Sequence, residues 1–194
     1  MMDFRCGTLS IRLAAVTVAI SVTARAVESQ SGRPTASAPV KAAMLDLAFY
    51  GKRANDLLPD DSAMAMTATS TMRAALARAP GLAFIDSATV AQAAASPTAH
   101  AASEGKPCNV IVACARSVGQ QLGTTWVVMG KISKTSDLIW IFSGELIDVA
   151  TGKLVLDDSY ELKGIASDMV PKGAQVFARR VAKKMIAPDS GTVQ

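Results

Sequence analysis

The chain has 194 residues, 50% of them hydrophobic and 19% charged, with a formal net charge of +4. That length holds one ordinary domain, and that apolar fraction supplies a core, which excludes a wholly disordered chain. Half of the surplus charge lies in residues 1–26, where Arg5, Arg12 and Arg25 stand against Asp3, so the remainder carries too even a balance to argue for nucleic acid.

Arg5 and Arg12 precede Leu13 to Val22, an uncharged and mostly apolar run, and Thr23-Ala24-Arg25-Ala26 places small residues three and one before Val27. Basic start, apolar centre and small-residue site make a secretory signal peptide. A membrane span needs about 18–20 apolar residues, more than this run provides. The expectation is a leader, residues 1–26, cut between Ala26 and Val27. A lipoprotein carries its cysteine just after the apolar stretch, whereas Cys6 precedes it, so a soluble periplasmic protein without a lipid anchor is expected. Residues 27–39, broken by Pro34 and Pro39, read as a flexible linker. Residues 40–187 read as one domain, and 188–194 as a disordered tail.

Val40 to Phe49 is a mostly apolar run with few charges, the pattern of a buried central strand. Tyr50 to Pro59 is loop. Asp60-Asp61-Ser62 is expected to cap a helix reaching about Arg78, with Met64, Ala68, Met72, Ala75, Leu76 and Ala79 along one side. Pro80-Gly81 ends it. A short strand follows at Leu82–Ile85, then a helix from Ala88 to Ala95 capped by Asp86 or Ser87, and a loose stretch from Ser96 to Pro107. The next helix, Asn109 to Leu122, directs Val110, Ala113, Cys114 and Val118 inward and ends at Gly123. Three strands then form an antiparallel meander: Trp126–Lys134, Leu138–Val149 and Leu154–Tyr160, turning at Thr135–Asp137 and Ala150–Gly152. A last helix, Ser167 to Ile186, carries Val170, Ala174, Phe177, Val181 and Met185 as a stripe opposite Lys172, Arg179, Arg180, Lys183 and Lys184. The order β-α-β-α-α-β-β-β-α specifies an α/β (α+β) fold, a mixed sheet with helices packed on it.

Removal of the leader leaves Cys108 and Cys114, an even count in an oxidising compartment, which points to a disulfide. Within one α-helix their Cα atoms would be about 9 Å apart, beyond the roughly 7 Å that a bridge spans. Pairing therefore requires the helix to begin after Cys108, which Asn109 as N-cap permits. Two inert buried thiols are the alternative.

Met44-Leu45-Asp46-Leu47-Ala48-Phe49, Phe84-Ile85-Asp86, the run from Gln121 through Leu122-Gly123 and Trp126-Val127-Val128-Met129-Gly130-Lys131-Ile132, and Asp148-Val149-Ala150-Thr151-Gly152-Lys153 follow one another in an order that resembles the periplasmic TolB amino-terminal-like superfamily. Within it the chain is most similar to predicted secreted proteins of unknown function, through Cys108 to Ala115 and Lys134-Thr135-Ser136-Asp137-Leu138-Ile139. The resemblance covers about residues 40–186 and implies a fold and a compartment, not an activity.

The single histidine, His100, leaves no Ser-His triad or His-x-x-His metal pair to build. No phosphate loop is present, since Val118 to Gly123 lacks both the lysine and the strand-to-helix context. No cofactor and no metal are expected. Asp46, at the C-terminal end of a buried parallel strand, occupies the place where α/β sheets bind ligands, although such an acid more often caps a loop. Lys131 and Lys134, in the stretches that carry the resemblance, complete the candidate ligand or partner contacts. Asp157 and Asp158 are adjacent on a strand and point to opposite faces. Trp126, Trp140 and Phe142 read as core rather than stacking platforms, and the basic helix face as solvated. The reading is an exported, non-enzymatic binding or assembly accessory whose partner is another envelope protein, with peptidoglycan contact a weaker option. The alternative is a small-ligand receptor or enzyme near Asp46.

Overall fold

The computed structural model describes residues 38–51, 54 and 56–187. The expected leader with its Ala26–Val27 junction, most of the expected linker, and the tail from 188 lie outside the described residues. Six strands form one mixed sheet: β1 (Val40–Met44), β2 (Ala48–Tyr50), β3 (Leu82–Phe84), β4 (Trp126–Ser136), β5 (Ile139–Asp148) and β6 (Leu154–Lys163). Its order is β3-β1-β4-β5-β6, with β2 also beside β4. β1 runs parallel to β3 and β4, β2 runs parallel to β4, and β4, β5 and β6 are antiparallel.

Two helical layers cover the sheet. Helices α1 (Ala63–Leu76) and α5 (Ala166–Ile186) lie on one face, and their Met72, Leu76, Phe177 and Val181 pack with Val128, Ile132, Trp140, Phe142 and Leu146. Helices α2 (Ser87–Ala94), α3 (Pro97–Ser103) and α4 (Val112–Leu122) cover the other face, where Val90, Ala99 and Val118 meet Ala43, Leu45, Val127, Met129 and Ile147. β1 is apolar throughout its buried part because both of its faces are covered. All five residues of the expected α5 stripe are buried. Trp140 and Phe142 are core residues, and Trp126 packs against the same cluster half-buried. Asp157 is exposed, whereas Asp158 turns to the α5 side, accepting a hydrogen bond from the Tyr160 hydroxyl at 2.6 Å and an ion pair from Arg180 at 2.9 Å. Burial, then that hydrogen bond and the Asp158 charge, push the Tyr160 phenol up to about 12.

Several local expectations are corrected. The strand expected over Val40–Phe49 is two strands, β1 and β2, separated by Leu45-Asp46-Leu47. The loose stretch after Ser96 contains α3, whose Ser96 hydroxyl accepts from the Ala99 N–H at 3.2 Å with Pro97 in the first turn. Ser-Pro is a helix-start signal that the small-residue composition concealed. Asp60-Asp61-Ser62 does not cap α1 through its side chains: it forms a 3-10 turn over Pro59–Ser62, and Asp61 is buried. The first hairpin turns at Asp137-Leu138, because β4 runs on to Ser136 and β5 begins at Ile139. Asn109 is not the N-cap of α4. It lies in a 3-10 turn, Cys108–Val110, and Ile111 occupies the cap position. Ala113 is exposed, and Ala115 and Ser117 are buried in its place. Cys108 and Cys114 are bridged with their Cα atoms 5.1 Å apart, and α4 begins after Cys108 as that separation requires.

Gly144 opposes Gly130 in the β4–β5 ladder, and the Phe177 ring of α5 lies directly over it. A Cβ at Gly144 would lie 2.5 Å from Phe177 Cε1. The absent side chain lets the long helix approach the sheet. Gly144→Ala is expected to destabilise the fold by about 1–3 kcal/mol through overpacking, and Phe177→Leu in the same chain to return part of that loss. Urea denaturation of the single and double variants measures both effects.

Candidate functional site

Asp46 occupies an irregularity in the sheet. Met44 pairs with Val128 and Ala48 with Lys131, so three residues, Leu45 to Leu47, span two on β4. The extra residue makes a bulge, which leaves backbone groups outside the ladder. Neighbours satisfy them: the Leu47 N–H donates to Thr69 Oγ1 at 2.9 Å, and Asn109 Nδ2 donates to the Asp46 carbonyl at 2.8 Å. Arg73 Nη2 donates to the Met44 carbonyl at 3.3 Å and pairs with the Asp46 carboxylate at 2.7 Å. An open cleft of about 350 Å³ lies between this bulge, α2 and the Pro107–Asn109 turn, with Leu45, Val90 and Ala94 among its apolar walls. A second hollow of about 480 Å³ opens on the α1 side of the Asp46–Arg73 pair. Asp46 thus lies at a strand end beside a cleft, its carboxylate paired with Arg73 and its carbonyl accepting from Asn109, rather than capping a loop through backbone amides.

Lys134 is 3% exposed. Its Nζ donates to Asp61 at 2.9 Å, to Asp137 at 2.8 Å and to the Asp56 carbonyl at 2.6 Å, and stands 3.8 Å from the Asp56 carboxylate. The ammonium also lies 5.7 Å from the centre of the Trp140 ring. All three of its hydrogens are engaged within the chain, so in this arrangement Lys134 holds the fold together and presents nothing to a ligand. Burial works against the charge, but the hydrogen bonds and charges of Asp137 and Asp61 outweigh it and hold the Lys134 pKa above the ordinary lysine value. The hydrogen bond from Lys134 keeps Asp137 below the usual carboxylate range, against partial desolvation. The sequence hinted at this only through Asp137, three residues from Lys134, because Asp61 and Asp56 lie 73 and 78 residues away.

Lys131 is separate from both. It is half-exposed on the face of β4 beyond the α2–α4 layer, 5.8 Å from the Tyr50 ring centre. Ser133, Ile141, Ser143 and Glu145 continue that face. Desolvation, and then the facing Asp157, raise the Glu145 pKa, which Lys131 partly offsets. Among the described residues no group of three His, Cys, Asp or Glu side chains is placed to hold a metal ion.

The Lys134 bracket also gathers exposed aliphatic side chains that the sequence reading did not single out. Asp56 Oδ2 accepts from the Asp137 N–H at 2.8 Å, Asp61 Oδ2 accepts from the Leu58 N–H at 2.7 Å, and the Leu138 carbonyl accepts from the Gly164 N–H at 2.9 Å. These bonds join the loop before α1, the β4–β5 turn and the β6–α5 turn at one end of the sheet. Their apolar members, Leu57, Leu58, Leu138 and Ile165, are 44–66% exposed. Among the described residues around them, Asp56, Asp60, Asp61, Asp137 and Asp168 outnumber Lys134, and Lys163 is paired with Glu161 at 3.1 Å.

The bracket makes stability depend on pH at both ends. The Asp137 contribution, present above its unfolded value, is lost as pH falls through its depressed folded pKa. The Lys134 contribution, present below its unfolded value of about 10.4, is lost as pH rises through its raised folded pKa. The Tm is expected to be level between about pH 5 and 9 and to fall outside that range. Lys134→Met leaves buried Asp61 without a counter-charge, so its Tm should be several degrees lower at neutral pH, and the variant should lack the alkaline decline that Lys134 deprotonation causes. Thermal denaturation of both proteins across pH tests the opposed slopes.

A family model described as "Protein of unknown function (DUF2380)" matches residues 40–181. No curated protein matches the sequence. Similar solved structures include the LpoB C-terminal domain from Salmonella enterica, with 17% identity, a TM-score of 0.47, and coverage of 65% of this chain and 84% of that one. Lipoprotein GNA1162 from Neisseria meningitidis is 12% identical with a TM-score of 0.44, over 78% of this chain and all of that one. TolB from Acinetobacter baumannii is 13% identical with a TM-score of 0.44, over 77% of this chain and 28% of that one. The family match runs from the start of β1 into α5, taking in every strand of the sheet, and the chain belongs to this family of proteins of unknown function.

Proposed function

We propose that the protein is an exported, non-enzymatic accessory of the cell envelope that acts by protein–protein contact through the aliphatic rim at Leu57, Leu58, Leu138 and Ile165. The observation that carries this reading is the rim itself. Four exposed aliphatic side chains from three separate connections are held at one end of the sheet by a buried ionic bracket. An apolar group rimmed by polar residues is the signature of an interaction surface. Carboxylates predominate around it among the described residues, which fits a protein partner with an apolar surface and basic flanks better than an anionic polymer such as peptidoglycan. The export reading is supported by the basic, apolar and small-residue segments of positions 1–26. Among the described residues no helix is long and apolar enough to cross a membrane. The small-ligand reading at Asp46 has a cleft in its favour. Against it, Asp46 pairs with Arg73 and its carbonyl is taken by Asn109, although Asn109 Oδ1 is buried there without a partner among the described residues.

A photo-crosslinking residue at Leu138, in the full chain expressed in its native cells, is expected to yield one discrete protein adduct. Leu57→Ser with Ile165→Ser should reduce that adduct about tenfold, the effect of removing some 1.4 kcal/mol of contact. Met66, equally exposed on α1, should yield no such adduct. Equal labelling at both positions, or none at Leu138, overturns the assignment. The chain recovered from the periplasm is expected to begin at Val27, and N-terminal sequencing checks this. An intact leader in the cytosol, with Cys108 and Cys114 freely alkylated, overturns the compartment.

A further inference from the structure

We propose that the Cys108–Cys114 disulfide is a redox-sensitive latch on the Asp46 bulge, so that its reduction loosens the bulge and reshapes the adjoining cleft. The bridge ties the 3-10 turn Cys108–Val110 to α4, and the next residue, Asn109, donates the hydrogen bond that satisfies the Asp46 carbonyl. Covalent link, turn and bulge thus form one continuous path. Besides the bridge and the Asn109 bond, the turn is held by packing against β4, α3 and α4, with Cys108 half-buried against the core of the α2–α4 face. Its backbone bonds, Val110 N–H to Pro107 O at 3.2 Å and Ile111 N–H to Cys108 O at 3.3 Å, are internal and long. The segment before it is exposed and passes through two left-handed residues, Glu104 at φ 51° and Gly105 at φ 75°.

The bulge in turn is exposed to change. Its extra residue stands outside the ladder, so Asp46 depends on Asn109 and Arg73 rather than on sheet partners. Pro107, Cys108 and Asn109 form one wall of the 350 Å³ cleft, and Leu45 and Asp46 another. Movement of the turn therefore alters the cleft directly.

The chemistry has a defined direction. Cys108 is half-buried on the cleft wall, whereas Cys114 is fully buried among Val90, Ala99 and Val118. An external dithiol reaches the Cys108 sulfur: its thiolate bonds to that sulfur, the S–S bond breaks, and Cys114 leaves as a thiolate that takes up a proton. The second thiol of the reagent then displaces Cys108, leaving two cysteine thiols and an oxidised reagent, two electrons and two protons having been transferred. A leaving thiolate in apolar surroundings makes the step slow, so the latch responds to strong or sustained reduction.

Hydrogen exchange on the mature chain, with and without dithiothreitol, tests the latch. Reduction is expected to speed exchange of the Leu45 and Leu47 amides about tenfold while β5 and β6 change little. Asn109→Ala with the bridge intact should produce the same local acceleration, and reducing that variant should add little, because bridge and amide act along one path. Unchanged exchange at Leu45 and Leu47 on reduction overturns the proposal. If the reduced chain unfolds as a whole, Asn109→Ala decides: local acceleration upholds the latch, and parental exchange overturns it.

Discussion

Met44 and Ala48 stand opposite Val128 and Lys131, so the first crossing of the sheet must accommodate one residue more than β4 offers. Side chains on a strand alternate between faces, and an inserted residue inverts that alternation for everything beyond it. Ala42 and Met44 face α1 and α5, Ala43 and Leu45 face α2–α4, and beyond the insertion Leu47 and Phe49 return to the α1–α5 side. Without the bulge Leu47 and Phe49 would point to the other face, and Phe49 could not reach Trp140, whose ring centre is 6.2 Å from its own. The same insertion puts Asp46 outside the ladder, where Arg73 and Asn109 take hold of it from opposite layers. One backbone irregularity thus assigns Leu47 and Phe49 to their core and places a polar residue between the two layers.

The buried ammonium of Lys134 does comparable work at the other end of the strand. Taking a lysine out of water is unfavourable unless its charge and its three hydrogens are all answered. Asp56, Asp61 and Asp137 answer them, and none lies in a strand or an α-helix. The ionic group therefore orders loops that possess no ladder of their own, and in doing so holds aliphatic side chains in water.

The parts of the fold legible in the sequence were those with a strong period. The α5 stripe, the meander from Trp126 to Tyr160 and the Gly123 helix end follow from spacing and from glycine chemistry, since one covered face imposes a repeat that can be read directly. The run from Val40 to Phe49 had no such repeat, because covering both faces makes every position apolar and hides an inserted residue. Helix α3 escaped because alanine and serine pack without leaving a hydrophobic signature. Of the candidate site, Asp46 was visible as an acid at a strand end, whereas the role of Lys134 depended on partners up to 78 residues away in the chain.

From the sequence alone came the class of fold, the cysteine pair with the helix start that its bridging demands, and the identity of most core positions. These depend on composition and on spacing along a short stretch. Tertiary structure alone decided the bulge, the inward turn of Asp61 and Asp137 onto Lys134, and the meeting of Leu57, Leu138 and Ile165 at one end of the sheet. Apart from Asp137, three residues from Lys134, these features join segments distant in the chain, and no local periodicity or propensity encodes which of several carboxylates will meet a given cation once the sheet has closed.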